Sequence, residues 1–600
     1  MELRIYFECL EQAYHYLYPI VKRALENTRK DIKIKFVKLR GNYEYYSKNI
    51  APIIFWKKPD ALITTIQGNV EYPLLLVEFS NAVFTEDHEL QRFDGLVAGA
   101  MNNCIYAKIS PTKKASPSEH GGNIEFDYAG PYSLIQRRYG KTFFHFEWKC
   151  DEKGILEFDE NYISCPKRIE MFELLVNTII NEVILKGYYG EWTDCVLKRL
   201  NEEPFFKQWR DRLQKVPVID LTSLNTSRTK WIEKDEVLGT GVLELKLNRF
   251  GHAMDPERGM LAYYGSMGEP IISKMRFTED NDAWYKDTPE EDTIRSYIKL
   301  NGLSKAYDFL RCSAFGSGLN KSEDFMNIIT KYKEDKSLSI NIDLTDFVNK
   351  NYVELSKPLK TIFKYSTLFI LEDESGIRRI IFNWDSYDEP KFFINHPQKT
   401  RLKERTKLEE DDITYIAVHN VLRPNGYKII AVSYPGAQGD RVILVEPGKG
   451  RKQKRKYIDI ICFLPDQFTN LQENKGKFSR GIIQKSIDEI CKYKKDENYI
   501  KALKTFQKKF APESLGTLVR IGVGFWSSIR FKLSAIKNLD LKELDYFIYV
   551  TNDRKKWKIW RTGNKKLFDI MNGVISLPYT YDIVGNKHAN KNQNLNLFFK

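Results

Sequence analysis

The feature that most constrains this chain is a pair of apolar runs between residues 457 and 475 that carry acidic residues at fixed places. Asp459 lies among β-branched residues in YIDIICFL, and the turn-forming segment PDQFTN separates that run from LQENK. Runs of this kind predict two strands joined as a hairpin. Alternate residues of a strand share a face, so Glu473 and Lys475 project together and strand pairing brings Asp459 beside them.

The charges of this hairpin predict a metal site. Two carboxylates about 4 Å apart repel by roughly 4 kcal/mol at an effective dielectric constant near 20, so Asp459 and Glu473 need a cation or a shared proton between them. Mg²⁺ takes one or two carboxylates and leaves its other positions to water and phosphate oxygens. Lys475 can orient or deprotonate an attacking water. We therefore expect Asp459 and Glu473 to hold Mg²⁺ beside Lys475.

The order Asp…Glu-x-Lys resembles the catalytic core of the PD-(D/E)XK nuclease superfamily, which includes many restriction endonucleases. The segment RKQKRK at 451–456 precedes the hairpin and carries five positive charges in six positions, where a nuclease would hold phosphate. A surface hairpin with scattered charges is the alternative. Another Glu-x-Lys triplet occurs at 244–246, and we assign it to chance in a chain with 94 Lys+Arg and 80 Asp+Glu.

A second copy of the pattern lies near the amino terminus. Pro59-Asp60 opens one apolar run, a Gly-Asn turn follows, and Glu78 lies in the run YPLLLVEFS. A helical pattern at 86–96 and a buried-strand pattern at 104–109 complete a strand, hairpin, helix and strand order. The match departs at Ser80, where the superfamily usually has lysine. A hydroxyl carries no positive charge, so this site would depend more on its metal or borrow a cation from elsewhere.

Both copies are preceded by a helical pattern that contains candidate accessory acids. The spacing of apolar residues predicts an amphipathic helix over 3–26, in which Glu8 or Glu11 is the candidate. Residues 408–422 are the corresponding helix of the second copy, with Glu409 or Glu410 as the candidate. A solvated surface position is the alternative for each of these acids.

Charge is unevenly distributed along the chain. Residues 451–600 carry 31 Lys+Arg and 14 Asp+Glu, a net +17, whereas the whole chain carries +14 and the first 450 residues therefore carry −3. A basic field confined to one quarter of a chain indicates a polyanion, and nucleic acid is the commonest one. The predicted DNA contacts, with the indole as a stacking group, are Lys454, Arg455, Lys456, Arg554, Lys555, Lys556, Trp557 and Arg561. Edge-strand protection is the alternative for the last five.

The fold class we expect is mixed α/β (α+β). Two restriction-endonuclease-like mixed-sheet cores, flanked by helices, would occupy residues 1–215 and 401–600, with a middle α+β segment of possible DNA recognition at 216–400. No apolar run reaches 18 residues, so we expect a cytoplasmic protein without a membrane span. The eight cysteines are dispersed, which argues against a structural zinc site.

The resemblance implies a Mg²⁺-dependent, site-specific endonuclease for double-stranded DNA, similar to a type II restriction enzyme. Asp60, Glu78 and Ser80 would form one site and Asp459, Glu473 and Lys475 the other, each cutting one strand. A companion DNA methyltransferase, encoded separately, would accompany such an enzyme, and the oligomeric state is left open. The alternatives are a DNA-binding protein in which one or both nuclease folds are degenerate, and a nuclease acting on RNA or branched DNA in repair or defence.

Overall fold

The computed structural model describes residues 1–26, 28, 32–40, 43–80, 92–112, 129–152, 155–236, 238–247, 256–276, 361, 364–372, 378–383, 402–404, 408–434, 441–445, 454–527, 539–551, 555–562, 572–575 and 582–584. The strands are β1 Glu2–Phe7, β2 Lys33–Lys38, β3 Ala61–Gln67, β4 Val70–Phe79, β5 Ile105–Ser110, β6 Phe144–Glu147, β7 Thr229–Ile232, β8 Val242–Lys246, β9 Ile271–Arg276, β10 Leu368–Glu372, β11 Arg378–Asn383, β12 Leu402–Glu404, β13 Lys428–Val432, β14 Ile443–Leu444, β15 Arg455–Lys456, β16 Ile460–Leu464, β17 Phe468–Lys477, β18 Leu518–Ser527, β19 Tyr546–Thr551, β20 Lys556–Arg561, β21 Asn572–Val574 and β22 Asp582–Val584.

Helices lie between these strands and cover them. The α-helices are α1 Tyr18–Glu26, α2 Ala51–Trp56, α3 Phe93–Met101, α4 Ala129–Tyr139, α5 Glu170–Lys186, α6 Trp192–Leu200, α7 Pro204–Lys215, α8 Pro256–Gly265, α9 Glu410–Ile416, α10 Arg480–Ile490, α11 Lys492–Lys495 and α12 Glu497–Phe510. A π-helical segment, Gln12–Leu17, leads into α1, and another, Ala417–Leu422, continues α9. The fold is thus mixed α/β, as the sequence predicts.

The amino-terminal sheet has eight strands in the order β12-β22-β2-β1-β3-β4-β5-β6. Strand β3 is antiparallel to both β1 and β4, whereas β4, β5 and β6 are mutually parallel along the sheet. The central strand β4 contains the apolar segment Leu74–Val77, which is buried because the sheet is covered on both faces. Helix α3 lies between β4 and β5 in the chain, in agreement with the predicted order of strand, hairpin, helix and strand. Of the helix predicted over 86–96, residues 86–91 lie outside the described residues, and the described helix is Phe93–Met101.

The carboxyl-terminal sheet has seven strands in the order β13-β16-β17-β18-β19-β20-β21. Strand β16 is antiparallel to β13 and β17, and β17, β18 and β19 are mutually parallel along the sheet. Helices α10 to α12 connect β17 to β18. The five strands β13-β16-β17-β18-β19 therefore repeat the arrangement β1-β3-β4-β5-β6 in order and direction.

The middle segment forms a five-stranded sheet in the order β11-β10-β9-β8-β7. One face of this sheet, which includes Leu243, Leu245 and Ile271, joins the same apolar cluster as the amino-terminal sheet. Its hairpin of β10 and β11 is antiparallel. The middle sheet is therefore packed against the first core.

The prediction of one helix over residues 3–26 is wrong for its first part. Residues Glu2–Phe7 form strand β1, which is parallel to β2 and antiparallel to β3. Leu3, Ile5 and Phe7 satisfy a period of two as well as the longer helical spacing, and neighbours on both sides select the strand. The π-helical segment directly before α1 accommodates Pro19, which cannot donate a backbone hydrogen bond.

The two halves of the chain are interlocked. Strands β12 and β22, which come from the predicted carboxyl-terminal domain, pair with each other, and β22 runs parallel to β2 of the first sheet. In the described part of the chain, no helix has both the length and the apolar character needed to cross a membrane.

Candidate active sites

The amino-terminal acid pair is held by the hairpin of β3 and β4. Asp60 directly precedes β3, and the pairing of Ala61 with Val77 places it across from Glu78. The backbone N–H of Phe79 donates to Asp60 Oδ2 at 2.7 Å. The backbone carbonyl of Asp60 accepts a hydrogen bond from the N–H of Glu8 at 2.8 Å. These two contacts fix both the main chain and the carboxylate of Asp60.

The carboxyl-terminal acid pair is held in the same way by β16 and β17. Asp459 directly precedes β16, and the pairing of Ile460 with Gln472 places it across from Glu473. The N–H of Asn474 donates to Asp459 Oδ2 at 2.6 Å, and the carbonyl of Asp459 accepts from Ser433 N–H at 2.9 Å. In both cores, therefore, the residue after the glutamate orients the aspartate through a backbone N–H.

Lys475 lies at the centre of the carboxyl-terminal acids. Its Nζ is 3.4 Å from Glu473 Oε2, 3.7 Å from Asp459 Oδ2 and 2.7 Å from Glu410 Oε1. Glu410 is in the first turn of α9, so the helix supplies a third carboxylate to the site. Of the two acids that the sequence proposes here, Glu410 meets the site, whereas Glu409 forms an ion pair with Arg40.

The amino-terminal site has a serine and takes its cations from other positions. Ser80 is fully buried, and its hydroxyl makes no hydrogen bond among the described residues. Lys57 Nζ lies 3.3 Å from Glu78 Oε2. Lys108 of β5 is paired with Glu78 across the parallel strands and is only 3% exposed. The sequence pattern does not predict either lysine as part of this site, although Lys57 lies three residues before Asp60.

Burial shifts the pKa values of the carboxyl-terminal acids upward. The pKa of Glu473 rises to about 8, because the group is buried and because Asp459 lies beside it, although Lys475 opposes the rise. Burial also raises the pKa of Asp459 to about 6; Glu410 adds to this and Lys475 opposes it. Without another cation, the pair therefore retains one proton near neutral pH, held mainly by Glu473.

The same physical causes act at the amino-terminal pair. Burial raises the pKa of Asp60 well above its usual range, and the charges of Glu78 and Glu8 add to the rise. Burial lowers the pKa of Lys108 well below its usual range, with Glu78 opposing. Burial therefore disfavours the charged forms of both Asp60 and Lys108.

The two candidate accessory acids of the amino-terminal core have different positions. Glu11 is fully buried away from the pair; it accepts a hydrogen bond from Ser164 N–H at 3.0 Å and lies 2.8 Å from His419 Nε2. Glu8 is partly exposed, lies 3.8 Å from Lys58 Nζ and acts on the pKa of Asp60. Glu8 is therefore the accessory acid that the structure places near the site.

An acidic segment connects the two cores. Glu409 and Asp411 form ion pairs with Arg40, and Asp411 also pairs with the buried Lys38 of β2. Between them, Glu410 reaches Lys475. Neighbouring residues of one helix end thus bind the first core and complete the second site.

Oxygen donors of the kind that a hard divalent ion takes lie in both cores. Each site offers two oppositely placed carboxylates with at least one raised pKa, and Glu78 Oε1 makes no hydrogen bond within the described residues although it is buried. No group of three or more His, Cys, Asp or Glu side chains in the described ranges has the geometry of a metal site. An ion bound here would take one or two carboxylates and leave room for water and phosphate, as Mg²⁺ does.

The residues predicted to contact DNA differ in their exposure and in the contacts they already make. Lys454 is exposed and lies 5.7 Å from the ring centre of Tyr499, and Lys456 forms an ion pair with Glu489. Lys555 and Lys556 are exposed, and Arg561 is half-buried. Arg455 contributes its backbone to β15, and Arg554 lies outside the described residues.

Trp557 corrects the prediction of a stacking indole. Its side chain is 3% exposed and packs in the apolar cluster that includes Ile548 and Ile559. A buried indole cannot stack on a base, so we do not retain Trp557 as a DNA contact. The face of β20 that carries Trp557 and Ile559 is buried, whereas Lys556 is exposed, and the alternation of lysine and tryptophan does not reveal which face is covered.

No protein-family model, no curated protein and no solved structure matches this chain. The interpretation of the two sites therefore depends on their own geometry and on the repeated arrangement of their strands.

Proposed function

We propose that this protein is a Mg²⁺-dependent, site-specific endonuclease for double-stranded DNA, in which each core cuts one strand. The observation that carries the proposal is the repeated frame: Asp60 and Glu78 in one hairpin, Asp459 and Glu473 in the other, each aspartate oriented by the N–H that follows the glutamate. A duplex has two antiparallel strands, and two unlike sites in one chain serve an asymmetric target without a symmetric dimer.

The chain's own residues would act as follows. Asp459 and Glu473 give up their protons and hold the ion, and their backbone contacts keep the carboxylates oriented. Lys475 neutralises charge between the acids and positions water or phosphate. A divalent ion, when bound, polarises a phosphate oxygen and makes a nearby water more acidic. At the first site, Lys57, which contacts Glu78, would take the role of Lys475.

The basic charge of the carboxyl-terminal quarter supports DNA as the substrate. Residues 451–600 carry +17, and Lys454, Lys555 and Lys556 are exposed. Cations that neutralise phosphates release condensed counterions, which gives affinity without sequence preference. Sequence selection would need further contacts to base edges.

The test is digestion of plasmid DNA with Mg²⁺ or with EDTA, followed by sequencing of the ends. The proposal expects double-strand cuts at a fixed, asymmetric sequence with Mg²⁺ and no cuts with EDTA. Cleavage that persists in EDTA, or a chain that binds duplex DNA and never cuts it, would contradict the proposal.

A second candidate function is a DNA-binding role for the amino-terminal core without cleavage. Ser80 in place of lysine favours it, because the hydroxyl supplies no positive charge. In that case Asp60→Ala would leave both strand cuts unchanged, and the enzyme would have to cut a duplex as a dimer.

A further inference from the structure

The middle sheet repeats part of the strand arrangement of both candidate cores. Strands β7 and β8 form an antiparallel hairpin, α8 follows, and β9 and β10 then add in parallel. The segments β3-β4-α3-β5-β6 and β16-β17 with β18 and β19 have the same order and directions. The chain thus contains three hairpins of one kind.

The register identifies which residue of the middle hairpin occupies the place of the catalytic aspartates. Asp60 faces Glu78, and Asp459 faces Glu473. In the middle hairpin, Glu244 begins a Glu-x-Lys triplet on β8, and the residue paired with it is Lys230. A lysine therefore occupies the register position at which the other two hairpins have an aspartate.

This substitution changes the chemistry of the site. Glu244 is buried, and Lys274 Nζ lies 3.4 Å from its Oε1. Lys230 and Lys246 are exposed, and the backbone carbonyl of Arg228 accepts a hydrogen bond from the N–H of Lys246 at 2.8 Å. One cationic group, Lys274, thus contacts the carboxylate, and the exposed Lys230 and Lys246 lie on the same sheet face as Glu244.

We infer that the middle sheet binds backbone phosphates of the DNA and does not cut them. A single carboxylate that already pairs with a lysine has no need of a divalent cation, whereas exposed ammonium groups on one sheet face attract an anion. The ligand class is the phosphodiester backbone, bound without a metal and without reading sequence. This inference rests on the proposed function in one respect, that the polyanion is DNA.

The first experiment measures the salt dependence of binding to a short duplex in EDTA. The paired substitution Lys230→Ala and Lys246→Ala should flatten the log-log slope by roughly two units, since each phosphate contact contributes about 0.9. Lys198→Ala with Lys207→Ala, two exposed lysines on α6 and α7, is the matched control and should leave the slope unchanged.

The outcomes separate this inference from the proposed function. A wild-type slope in the Lys230 and Lys246 variant overturns the inference, whatever the cleavage activity. A flattened slope in a chain that does not cut DNA with Mg²⁺ supports the inference and overturns the proposed function. A chain without affinity for duplex DNA overturns both.

The second experiment tests the positional equivalence directly. In a chain that carries Asp60→Ala and Asp459→Ala, the further change Lys230→Asp should create an acid pair with Glu244. We expect a gain in Tb³⁺ emission on tryptophan excitation relative to the parent chain, because Trp231 is the adjacent residue. Equal emission from both chains would show that Lys230 does not occupy the place of the aspartates.

Discussion

The two acid pairs have the same backbone frame and different sources of positive charge. In the carboxyl-terminal core, Lys475 extends from the same strand as Glu473 and contacts both acids of the pair. In the amino-terminal core that position is Ser80, and Lys57 reaches Glu78 from the chain before β3. In each core the hairpin determines where the carboxylates lie, whereas any nearby element can supply the cation.

The largest expected effect comes from removing one acid pair at a time. Asp459→Asn should lower the rate of cutting of one strand by about a thousandfold or more, and Asp60→Asn should do the same for the other strand. Loss of a metal ligand removes several kcal/mol of transition-state stabilisation. End-labelled duplexes on a denaturing gel would show which strand survives. Glu202→Gln, an exposed acid, is the control. If each variant loses both cuts together, the sites are not independent.

The cations provide a finer comparison. Lys475→Ala and Lys57→Ala should each slow their own strand cut by about a hundredfold, the lower range for a positioned proton-transfer or electrostatic group. Adding Ser80→Lys to Lys57→Ala should restore part of the first rate, because residue 80 shares a strand face with Glu78. Strand-specific single-turnover rates would measure this. A normal rate in Lys57→Ala would show that the first site does not depend on this cation.

The raised pKa values predict how metal binding depends on pH. The folded-state pKa values of Asp459 and Glu473, about 6 and about 8, lie above the ordinary 3.8 and 4.5. Metal must displace these protons, so apparent affinity should rise up to about tenfold per pH unit for each proton released and level off above pH 8. Calorimetry in buffers of different ionisation enthalpy would count the protons, with Glu473→Gln releasing fewer.

The same shifts determine the sign of the stability change without metal. Between the unfolded and folded pKa values, the folded chain binds more protons than the unfolded chain, so the contribution of these acids is greatest below pH 3.8 and is lost as pH rises to about 8. The melting temperature of the carboxyl-terminal core should therefore fall over this range, and Mg²⁺ should reverse the fall. An unchanged melting temperature in Glu473→Gln at high pH would contradict this account.

The smallest expected effect concerns the basic residues just before the hairpin of the carboxyl-terminal core. Lys454→Ala with Lys456→Ala should flatten the salt slope of DNA binding by about one to two units. The effect should fall short of two full contacts, because Lys456 already pairs with Glu489. Trp557→Phe should leave the slope unchanged and lower stability instead, since the indole is buried. A flatter slope in Trp557→Phe would restore the tryptophan to the interface.

The acid pairs could be predicted because they are local. Asp459 and Glu473 are 14 residues apart and belong to one hairpin, whose turn and apolar runs are visible in the sequence. Lys108 could not be found in this way, since it reaches Glu78 only through a parallel pairing that follows a helix. Parallel partners are selected by packing of the whole sheet, not by nearby residues.

The positions of several other charged residues could not be predicted, because they depend on how helices dock and how strands pair. Glu409 and Glu410 are neighbours at one helix end, and only the docking of that helix between the cores sends one to Arg40 and the other to Lys475. The position of Lys230 across from Glu244 becomes known only when the strand register is known. Pattern alone cannot supply docking or register, because both are decided by contacts with distant segments.

The pairing of β22 with β2 has a consequence for how the chain is made. Strand β2 covers Lys33–Lys38, and its partner Asp582–Val584 is synthesised much later. At roughly 5–20 residues per second, a ribosome needs about half a minute to two minutes to bridge that interval. During this time one edge of the amino-terminal sheet remains open to other chains. Completion of the first sheet therefore waits until β22 has been synthesised, so a chain interrupted before Asp582 carries an unfinished first core.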